Sequence, residues 1–365
     1  MPQVPDVGPA ILDARVYTDA HRYEIERERV LRRSWLIAGR SAEVPAPGDH
    51  LVYEGHGETV VIARQPDGAL AAFHNVCQHR GARIVRASGC GATRFTCPWH
   101  GWIYGSDGAL RGVPDRQDFA TAQLDGLRAP PVAVEEWAGW IWIFLTPAEA
   151  IPLAQWLGPL GPELAAYRMD EMIVAEKCVY DVPCNYKAIV DGFNEMYHIA
   201  ELHKVPAEGV KAGRETSYAI FGRNSMMVVP LSPAELEALR ATGDHPAHVT
   251  CHYVVFPTSV FNNLPNHLQL FHPVPTGPHT TRFECWELQY AAGGEAYRKQ
   301  VGRHWEMLKH IVLQDLFVFG ELSKTRESMA YRANLFSDRE CKATAYHEEM
   351  ARMVGDGAPV RVPKT

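Results

Sequence analysis

The sequence predicts an α+β protein, in which a small all-β domain precedes a larger domain built as an antiparallel sheet with helices on one face. Short β-like runs separated by turns occupy residues 49–97. Further along the chain, strand-like runs at residues 249–256, 268–271 and 282–290 are flanked by helical patterns. Strands and helices do not alternate strictly there, and this order favours an antiparallel sheet over a parallel one.

Three helical patterns complete the expected organisation. Charged and apolar residues alternate over residues 22–37 and predict an amphipathic helix, residues 186–203 predict a second helix, and residues 297–323 predict a long third one. The expected division has three parts, namely an N-terminal helical segment that packs on the last domain, the all-β domain, and the last domain, at residues 1–39, 40–150 and 151–365.

Composition excludes several classes of function. The chain has 365 residues, 46% hydrophobic and 22% charged, with a formal net charge of -7. No run of Lys and Arg is dense enough to bind phosphates, so nucleic acid is not an expected partner. No apolar run approaches the length of about 18 residues that a membrane helix needs. Eight cysteines in a chain of this length do not form a secreted disulfide scaffold, and we expect a cytoplasmic protein.

Two loops each combine one cysteine with one histidine. They are Cys77-x-His79 and Cys97-x2-His100, with 17 residues between His79 and Cys97. Iron-sulfur clusters take thiolate ligands, and two imidazoles in place of two thiolates on one iron define the Rieske type. A structural zinc site is the alternative, but zinc fingers usually place both cysteines in one pair and both histidines in the other. The mixed pairs therefore favour a Rieske-type [2Fe-2S] cluster.

A second group of metal-binding side chains lies within thirteen residues and comprises Asp191, Glu195, His198 and His203. The spacing of the first three places them on one helical face. Because His203 is five residues beyond His198, we expect the helix to end or bulge between the two histidines. A lone His on an apolar face is usually a satisfied core residue, but four such groups weaken that explanation. Two His and one carboxylate suit non-haem Fe(II), with positions left open for O2 and substrate.

Asp315 is the best candidate for the carboxylate ligand. It lies within the apolar stripe of the predicted helix at residues 297–323. Burying a carboxylate without a partner is costly, so its position indicates a metal or a buried hydrogen-bond network. The alternative is a surface Asp on a helix whose faces are assigned wrongly. The apolar stripe consists of Val301, Trp305, Leu308, Ile311, Val312, Phe319 and Leu322.

Both groups resemble those of the Rieske non-haem iron oxygenases, in particular the large, terminal oxygenase subunits of the aromatic-ring-hydroxylating type. The first domain is similar in CQHRGA, which begins at Cys77, and in CPWHGW, which begins at Cys97. The second is similar in its His-x4-His pair and distant Asp. The resemblance implies a helix-grip catalytic domain in which His198, His203 and Asp315 hold a mononuclear Fe(II).

The resemblance also implies roles for two acids. The family typically has Asp three residues before the first His, where it links the mononuclear iron to the Rieske cluster of a neighbouring subunit in a trimer. This chain has Glu195, as do some branches that include oxygenases of quaternary ammonium compounds. Asp191 stands where Asn or an acid is usual near the iron. We therefore expect Glu195 and Asp191 to serve catalysis in a homotrimer, with or without a small β subunit.

The function expected on this basis is that of a terminal oxygenase. Electrons are expected from a separate reductase or ferredoxin, because the glycine-rich segment at residues 89–94 fails the dinucleotide-binding pattern at its last position. O2 and a small, apolar, ring-containing molecule are the expected substrates, as in the monooxygenases and dioxygenases of aromatic hydrocarbon catabolism. The apolar pocket residues expected are Phe221, Met226, Met227, Val228, Phe256, Phe261, Leu268 and Leu270.

Two other functions remain open. A monooxygenase or N-demethylase of a quaternary ammonium or methylated amine compound would need an aromatic cage with nearby carboxylates. A Rieske electron carrier without oxygenase activity would need only the first metal site. The candidate cage residues are Tyr197, Tyr218, Phe221 and Tyr253.

Overall fold

The computed structural model describes residues 8–204, 216–230, 234, 237, 249–264 and 266–363. Contacts divide the chain into two compact units, of which the smaller is Arg32–Leu153 and the larger combines Met1–Leu31 with Ala154–Thr365. Among the helices described, none has the length and apolarity that crossing a bilayer requires.

The N-terminal segment contributes one strand and two helices to the larger unit, which are β1 Ala10–Asp13, α1 Arg15–Thr18 and α2 Ala20–Arg29. Helix α2 begins after Asp19, whose side chain accepts hydrogen bonds from the backbone N–H groups of His21 and Arg22. The single helix predicted over residues 22–37 is wrong in its second half. Leu36–Arg40 forms strand β2 of the smaller unit, where its apolar side chains are buried by sheet pairing.

The smaller unit is the all-β domain that the sequence predicts. A six-stranded antiparallel sheet has the order β2-β10-β9-β5-β4-β3, and a three-stranded sheet has the order β6-β7-β8. One apolar core lies on the larger sheet, and a second contains Cys77 and Cys97. The elements after β2 are β3 His50–Gly55, β4 Glu58–Arg64, β5 Leu70–His74, β6 Arg94–Thr96, β7 Ile103–Gly105, β8 Leu110–Gly112, α3 Thr121–Leu124, β9 Pro131–Trp137 and β10 Trp140–Phe144.

The larger unit is organised around a seven-stranded antiparallel sheet. Its strand order is β11-β17-β16-β15-β14-β13-β12, and a smaller sheet pairs β18-β1-β19. The elements are α4 Leu153–Leu157, α5 Leu160–Ala165, β11 Met172–Val182, α6 Tyr186–Gly192, α7 Ile199–Leu202, β12 Ser217–Phe221, β13 Asn224–Val229, β14 Thr250–Val255, β15 Ser259–Leu264, β16 His267–Gly277, β17 Thr280–Tyr290, α8 Glu295–Arg326, β18 Ala333–Phe336, α9 Cys341–Val354 and β19 Val360–Arg361.

Helix α8 packs along one face of this sheet, as the predicted antiparallel architecture requires. Trp305, Val312 and Phe319 share an apolar core with Phe271 and Phe283 of the sheet. The side chains that α8 buries are Val301, Trp305, Val312, Asp315 and Phe319, so that Asp315 lies among four residues of the predicted stripe. The other three predicted residues, Leu308, Ile311 and Leu322, are half-buried. The helix therefore carries one acid into the interior, beside the sheet.

The helix predicted over residues 186–203 is broken. Helix α6 ends at Gly192, and the short helix α7 begins only after His198. Residues 193–198 lie outside both helices, so Glu195 and His198 do not share a helical face with Asp191. The chain thus leaves α6 well before the first histidine, and the expected break between His198 and His203 lies too late in the sequence.

Candidate metal centres

The two Cys-His loops of the smaller unit have the same backbone frame. The N–H of Cys77 and the N–H of Cys97 each donate to the carbonyl five residues later at 2.7 Å. Gly81 and Gly101 donate back to the two cysteine carbonyls at 2.8 and 3.1 Å. Both glycines have positive φ, at 76° and 71°, a conformation that side chains rarely adopt. The repeated turn places the two cysteines in equivalent positions.

The predicted cluster ligands come together between these loops. Cys77 and Cys97 are both 2% exposed, and the imidazole centroids of His79 and His100 lie 4.6 Å apart. Nδ1 of His79 is buried, and none of the described residues hydrogen bonds to it, so it is free to bind a metal. A Rieske cluster is bound by two thiolates and two imidazoles, and the four side chains present here supply these donors.

Tyr104 is a contact of the first site that the sequence did not reveal. Its hydroxyl donates to Sγ of Cys77 at 3.4 Å and accepts from the backbone N–H of Gln78 at 2.9 Å. Burial raises the pKa of the Cys77 thiol, whereas the Tyr104 hydroxyl opposes that shift. A donor directed at a ligand sulfur stabilises negative charge on it and so favours metal binding.

The second site lies in the larger unit, where the structure brings His198, His203 and Asp315 together. Oδ1 of Asp315 is 3.2 Å from Nε2 of His203 and 3.6 Å from Nε2 of His198. One ligand atom from each residue can be chosen so that all lie within 4.8 Å of one another. Asp315 is 4% exposed, so its carboxylate does not face solvent. Two imidazoles and one carboxylate match the donor set of a non-haem Fe(II) site with open positions.

The other nitrogen of each imidazole is held by a neighbouring side chain. Nδ1 of His198 hydrogen bonds to Glu195, whose carboxylate also accepts the backbone N–H of His198 at 3.2 Å. Nδ1 of His203 lies 2.8 Å from Oε1 of Gln314. With Nδ1 protonated toward these acceptors, both rings present a free Nε2 to a metal. Burial lowers the pKa of His203, but hydrogen bonds with Asp315 and Gln314 outweigh it, so that pKa is raised.

Helix α7 brings the two histidines to the same side. Leu202 donates its N–H to the carbonyl of His198 at 2.8 Å, and His203 donates to the carbonyl of Ile199 at 3.2 Å. In a regular helix, five residues turn by about 140° beyond one revolution, which would separate the rings. His198 and His203 instead lie at the two ends of one short helix, and their ring centroids are 5.2 Å apart.

Asp191, predicted as a catalytic acid, is bonded into a buried network. The Tyr17 hydroxyl donates to its Oδ2 at 2.5 Å, and Nε2 of His347 lies 2.9 Å from its Oδ1. Burial, followed by the charge of Asp191, raises the pKa of Tyr17 well above its ordinary value. Tyr17 and His347 are functional candidates that sequence reasoning missed, because they are remote from Asp191 in the chain. No local pattern in the sequence marks either residue.

Two cavities border the second metal site. One has a volume of about 180 Å³ and is lined by His198, His203 and Asp315. The other, of about 470 Å³, is lined by His198 and Asp315 but not by His203, and also by Asp191. Glu195 borders both. Apolar side chains that line the smaller cavity include Phe193, Met196, Leu264, Phe271, Leu308 and Ile311.

The predicted apolar pocket residues are wrong for both cavities. Side chains alternate between the faces of a strand, and Phe261, Leu268 and Leu270 lie on the face opposite the one that borders the smaller cavity. The sequence pattern identified buried strands but not which face the metal site would occupy. The eight residues that line neither cavity are Phe221, Met226, Met227, Val228, Phe256, Phe261, Leu268 and Leu270.

The four aromatic residues considered for a cation cage do not converge. Tyr197 is 75% exposed. Tyr218 packs in a core cluster with Met227, and Tyr253 hydrogen bonds to the Tyr167 hydroxyl at 2.7 Å. Neither cavity is lined by any of the four, which include Phe221.

Comparison with protein families agrees with both sites. Residues 169–356 match the model of the ring hydroxylating alpha subunit (catalytic domain), which is just over half of the chain, and residues 34–128 match the Rieske [2Fe-2S] domain. The chain therefore belongs to the ring hydroxylating alpha subunit family. This family assignment implies a Rieske cluster and a mononuclear iron, and the two donor sets described above fit both groups.

Individual relatives include enzymes with different substrates. The carnitine monooxygenase oxygenase subunit of Escherichia coli (strain K12) is 32% identical over 205 residues, which are 56% of this chain and 54% of that protein. The biphenyl 2,3-dioxygenase subunit alpha of Rhodococcus jostii (strain RHA1) is 29% identical over 322 residues, 75% of this chain and 68% of that protein. The chain spans about half the length of the carnitine monooxygenase subunit and of several other curated relatives.

The fold also matches solved structures. A quaternary ammonium Rieske monooxygenase in complex with an inhibitor superposes with a TM-score of 0.81 and 20% sequence identity, over 96% of each chain. At this identity the match establishes the shared α+β architecture of a Rieske domain and a catalytic domain.

Proposed function

We propose that this chain is the terminal component of an oxygenase, which receives electrons from a separate reductase or ferredoxin and uses O2 to hydroxylate a small, apolar, ring-containing molecule. The observation that carries the proposal is the convergence of His198, His203 and Asp315 beside a cavity with apolar walls. Buried carboxylates without a structural partner are rare, and this one faces two imidazoles at the edge of a cavity.

The metal groups and the protein contribute different parts of this chemistry. The cluster held by Cys77, His79, Cys97 and His100 would supply single electrons, and an iron held by the later three residues would supply O2 activation. The protein side chains bind and orient. Glu195 fixes the imidazole of His198, and the apolar walls exclude water and receive a ring.

Glu195 is proposed to connect the two kinds of iron site across a subunit boundary in a homotrimer. Its carboxylate already bonds to Nδ1 of His198, on the side of the ring opposite to the metal-binding Nε2. Oε2 of Glu195 accepts the backbone N–H groups of Tyr197 and His198, and Oε1, which holds the proton of the imidazole, keeps a second lone pair for a donor of the neighbouring subunit. Sedimentation analysis of the iron-loaded protein is expected to give a trimer, and a stable monomer would contradict this part of the proposal.

The function is tested by a product screen. The iron-loaded protein, a surrogate reductase and isotopically labelled O2 are incubated with aromatic acids, fused-ring compounds and methylated amines. We expect label in the product of a ring compound, only when the reductase is present. Asp315→Ala is expected to lower the iron content from about three to about two per chain, to keep the cluster spectrum and to abolish product. No labelled product from any compound with both metals bound would contradict the proposal.

The coupling role has a separate test. Glu195→Gln is expected to keep both metals but to stop turnover, because the amide can still accept the hydrogen bond of His198 but lacks the negative charge of the carboxylate. Glu201→Gln is the matched control, since Glu201 lies between the two histidines with its side chain 90% exposed and pairs only with Lys204 among the described residues. Full activity of Glu195→Gln would defeat the coupling role.

A quaternary ammonium or methylated amine substrate is the second candidate. The observation that favours it is the 32% identity to the carnitine monooxygenase subunit. The absence of the four candidate cage residues from both cavities weighs against it. In the same screen, a demethylated or oxygenated amine without any ring product would favour this second reading. A protein whose only bound iron belongs to the cluster would instead favour an electron carrier.

A further inference from the structure

A row of polar side chains crosses the buried face of the seven-stranded sheet. His252, Asn262, Gln269 and Glu287 are direct cross-strand partners on the neighbouring strands β14, β15, β16 and β17. The first three line the cavity of about 180 Å³, and Thr250 lines it two residues before His252 on the same face of β14. Four polar residues in register on a buried face need a reason, because such faces are normally apolar.

Each hydrogen bond within this row is donated in the same direction, from Asn262 toward Glu287. Nε2 of Gln269 donates to Oε2 of Glu287 at 2.9 Å, and Nδ2 of Asn262 donates to Oε1 of Gln269 at 2.7 Å. Asn262 thereby uses its donor within the row, and its Oδ1 remains as an acceptor. Asn262 is 8% exposed, and no described residue bonds to its Oδ1 or to Oγ1 of Thr250. Such buried atoms are costly unless a ligand satisfies them.

The row carries no net charge near neutral pH. Burial raises the pKa of Glu287 to about 8, so this carboxyl is protonated, and Oε1 lies 3.5 Å from Nε2 of His267. Burial lowers the pKa of His267 to about 4 and that of His252 to about 3, so both rings are neutral. Among described residues, no Lys or Arg lines the cavity, and its two carboxylates, Glu195 and Asp315, belong to the metal site and not to this row. This wall suits an uncharged polar group.

We propose, building on the function proposed above, that the substrate is a single-ring compound bearing an uncharged hydrogen-bond donor, a hydroxyl or an N–H, which Oδ1 of Asn262 accepts beside Thr250. The cavity volume agrees with this size, because an apolar cavity of about 150 Å³ is known to hold benzene. Gln269 and Glu287 act as positioning residues, since they fix the orientation of the Asn262 amide. The polar row thus determines which end of the ring turns toward the metal site.

The proposal is tested by equilibrium binding of three matched ligands to the iron-loaded protein, without reductase. Phenol carries an O–H donor, anisole has an acceptor only, and toluene has neither. We expect phenol to bind about tenfold more tightly than either of the others. Asn262→Leu is expected to remove most of this preference. Thr250→Val is expected to reduce the preference for phenol about twofold. Asn263→Leu is the control, because Asn263 is also buried, at 1% exposed, on the same strand but faces away from the cavity.

Several results would overturn the proposal. They are equal affinities for the three ligands, no measurable binding of any of them, or a phenol preference that survives in Asn262→Leu. If Asn262→Leu does not fold, Thr250→Val decides, since an unchanged preference in that variant contradicts the assignment. Binding is measured without turnover, so a phenol preference in a protein that oxygenates nothing would defeat the proposed oxygenase function alone.

Discussion

Oε1 of Gln314 lies 2.8 Å from Nδ1 of His203, and the residue after Gln314 in helix α8 is Asp315. Successive residues of a helix point about 100° apart. The amide of Gln314 therefore contacts Nδ1 of His203, and the carboxylate of Asp315 lies near Nε2 of the same ring. Helix α8 therefore supplies both a metal-binding group and the group that orients a second ligand.

Gln314→Leu is expected to weaken iron binding at the mononuclear site by about 10-fold to 100-fold, because His203 loses the acceptor that fixes its ring. The measurement is retention of that iron against a chelator, with the cluster spectrum as internal reference. Gln314→Glu keeps an acceptor and should restore most of the affinity. Leu313→Ala is the control, since that side chain is 52% exposed on the same helix. Equal retention in Gln314→Leu and wild type would refute the role of Gln314.

Tyr104→Phe is expected to lower the reduction potential of the Rieske cluster. The lost hydroxyl donates to Sγ of Cys77 and so stabilises the more negative, reduced state. A hydrogen bond of about 1 kcal/mol corresponds to a shift on the order of 40 mV for one electron. Redox titration of the visible spectrum measures it. Tyr53→Phe, which removes a hydroxyl bonded to His56, should leave the potential unchanged, and a shift of the same size there would show that the effect is not local.

Glu287 makes stability depend on pH. Its pKa is raised from 4.5 to about 8 by burial, so the folded protein holds this proton more tightly than the unfolded chain. The stabilisation is complete below the unfolded pKa and is lost as pH rises toward the folded pKa. From about pH 5 to about pH 8, wild-type stability should fall relative to Glu287→Gln by up to about 1.4 kcal/mol per pH unit.

Thermal unfolding of the iron-loaded proteins at several pH values measures this difference. Glu287→Gln keeps an acceptor for Nε2 of Gln269 but has no proton to lose. Glu201→Gln, at a carboxylate whose side chain is 90% exposed, should follow the wild-type pH profile. Parallel profiles for wild type and Glu287→Gln would contradict the prediction.

Gly192→Ala is expected to destabilise the larger unit by about 1–3 kcal/mol, because the added Cβ would lie 2.5 Å from Cζ and 2.7 Å from Cε1 of Phe319. Gly302→Ala tests the same change inside α8, where a Cβ meets no atom within 4 Å. That substitution should stabilise by about 0.5–1 kcal/mol through helix propensity. If packing against Phe319 determines the effect at Gly192, the unfolding temperature falls in Gly192→Ala and rises in Gly302→Ala. A harmless Gly192→Ala would show that Phe319 moves aside freely.

The residues of both metal sites were accessible from the sequence because local spacing encodes them. Cys77, His79, Cys97 and His100 lie on short loops whose glycines set the turn. Asp315 was found by helical periodicity, which holds over the long helix α8. The same rule misplaced the break after α6, because residues 193–198 leave the helix although their spacing fits one.

Relationships across the sheet could not be predicted. The row from His252 to Glu287 exists only through strand register, and no local pattern states which residues become cross-strand partners. The apolar pocket residues were misassigned for the same reason, because a shift of one position exchanges the two faces of a strand. The network of Tyr17, Asp191 and His347 joins three distant helices and has no signature in sequence.

Glu195, His198 and Asp315 line both cavities, together with Gly192. Substitutions at Thr250, Asn262 or Gln269 remodel one chamber only, because none of these side chains reaches the other. Substitutions at a few strand positions can thus change which substrates bind in the smaller cavity and leave the lining of the other cavity unchanged. Related proteins with this fold can in this way differ in the substrates they bind while they keep the same metal ligands.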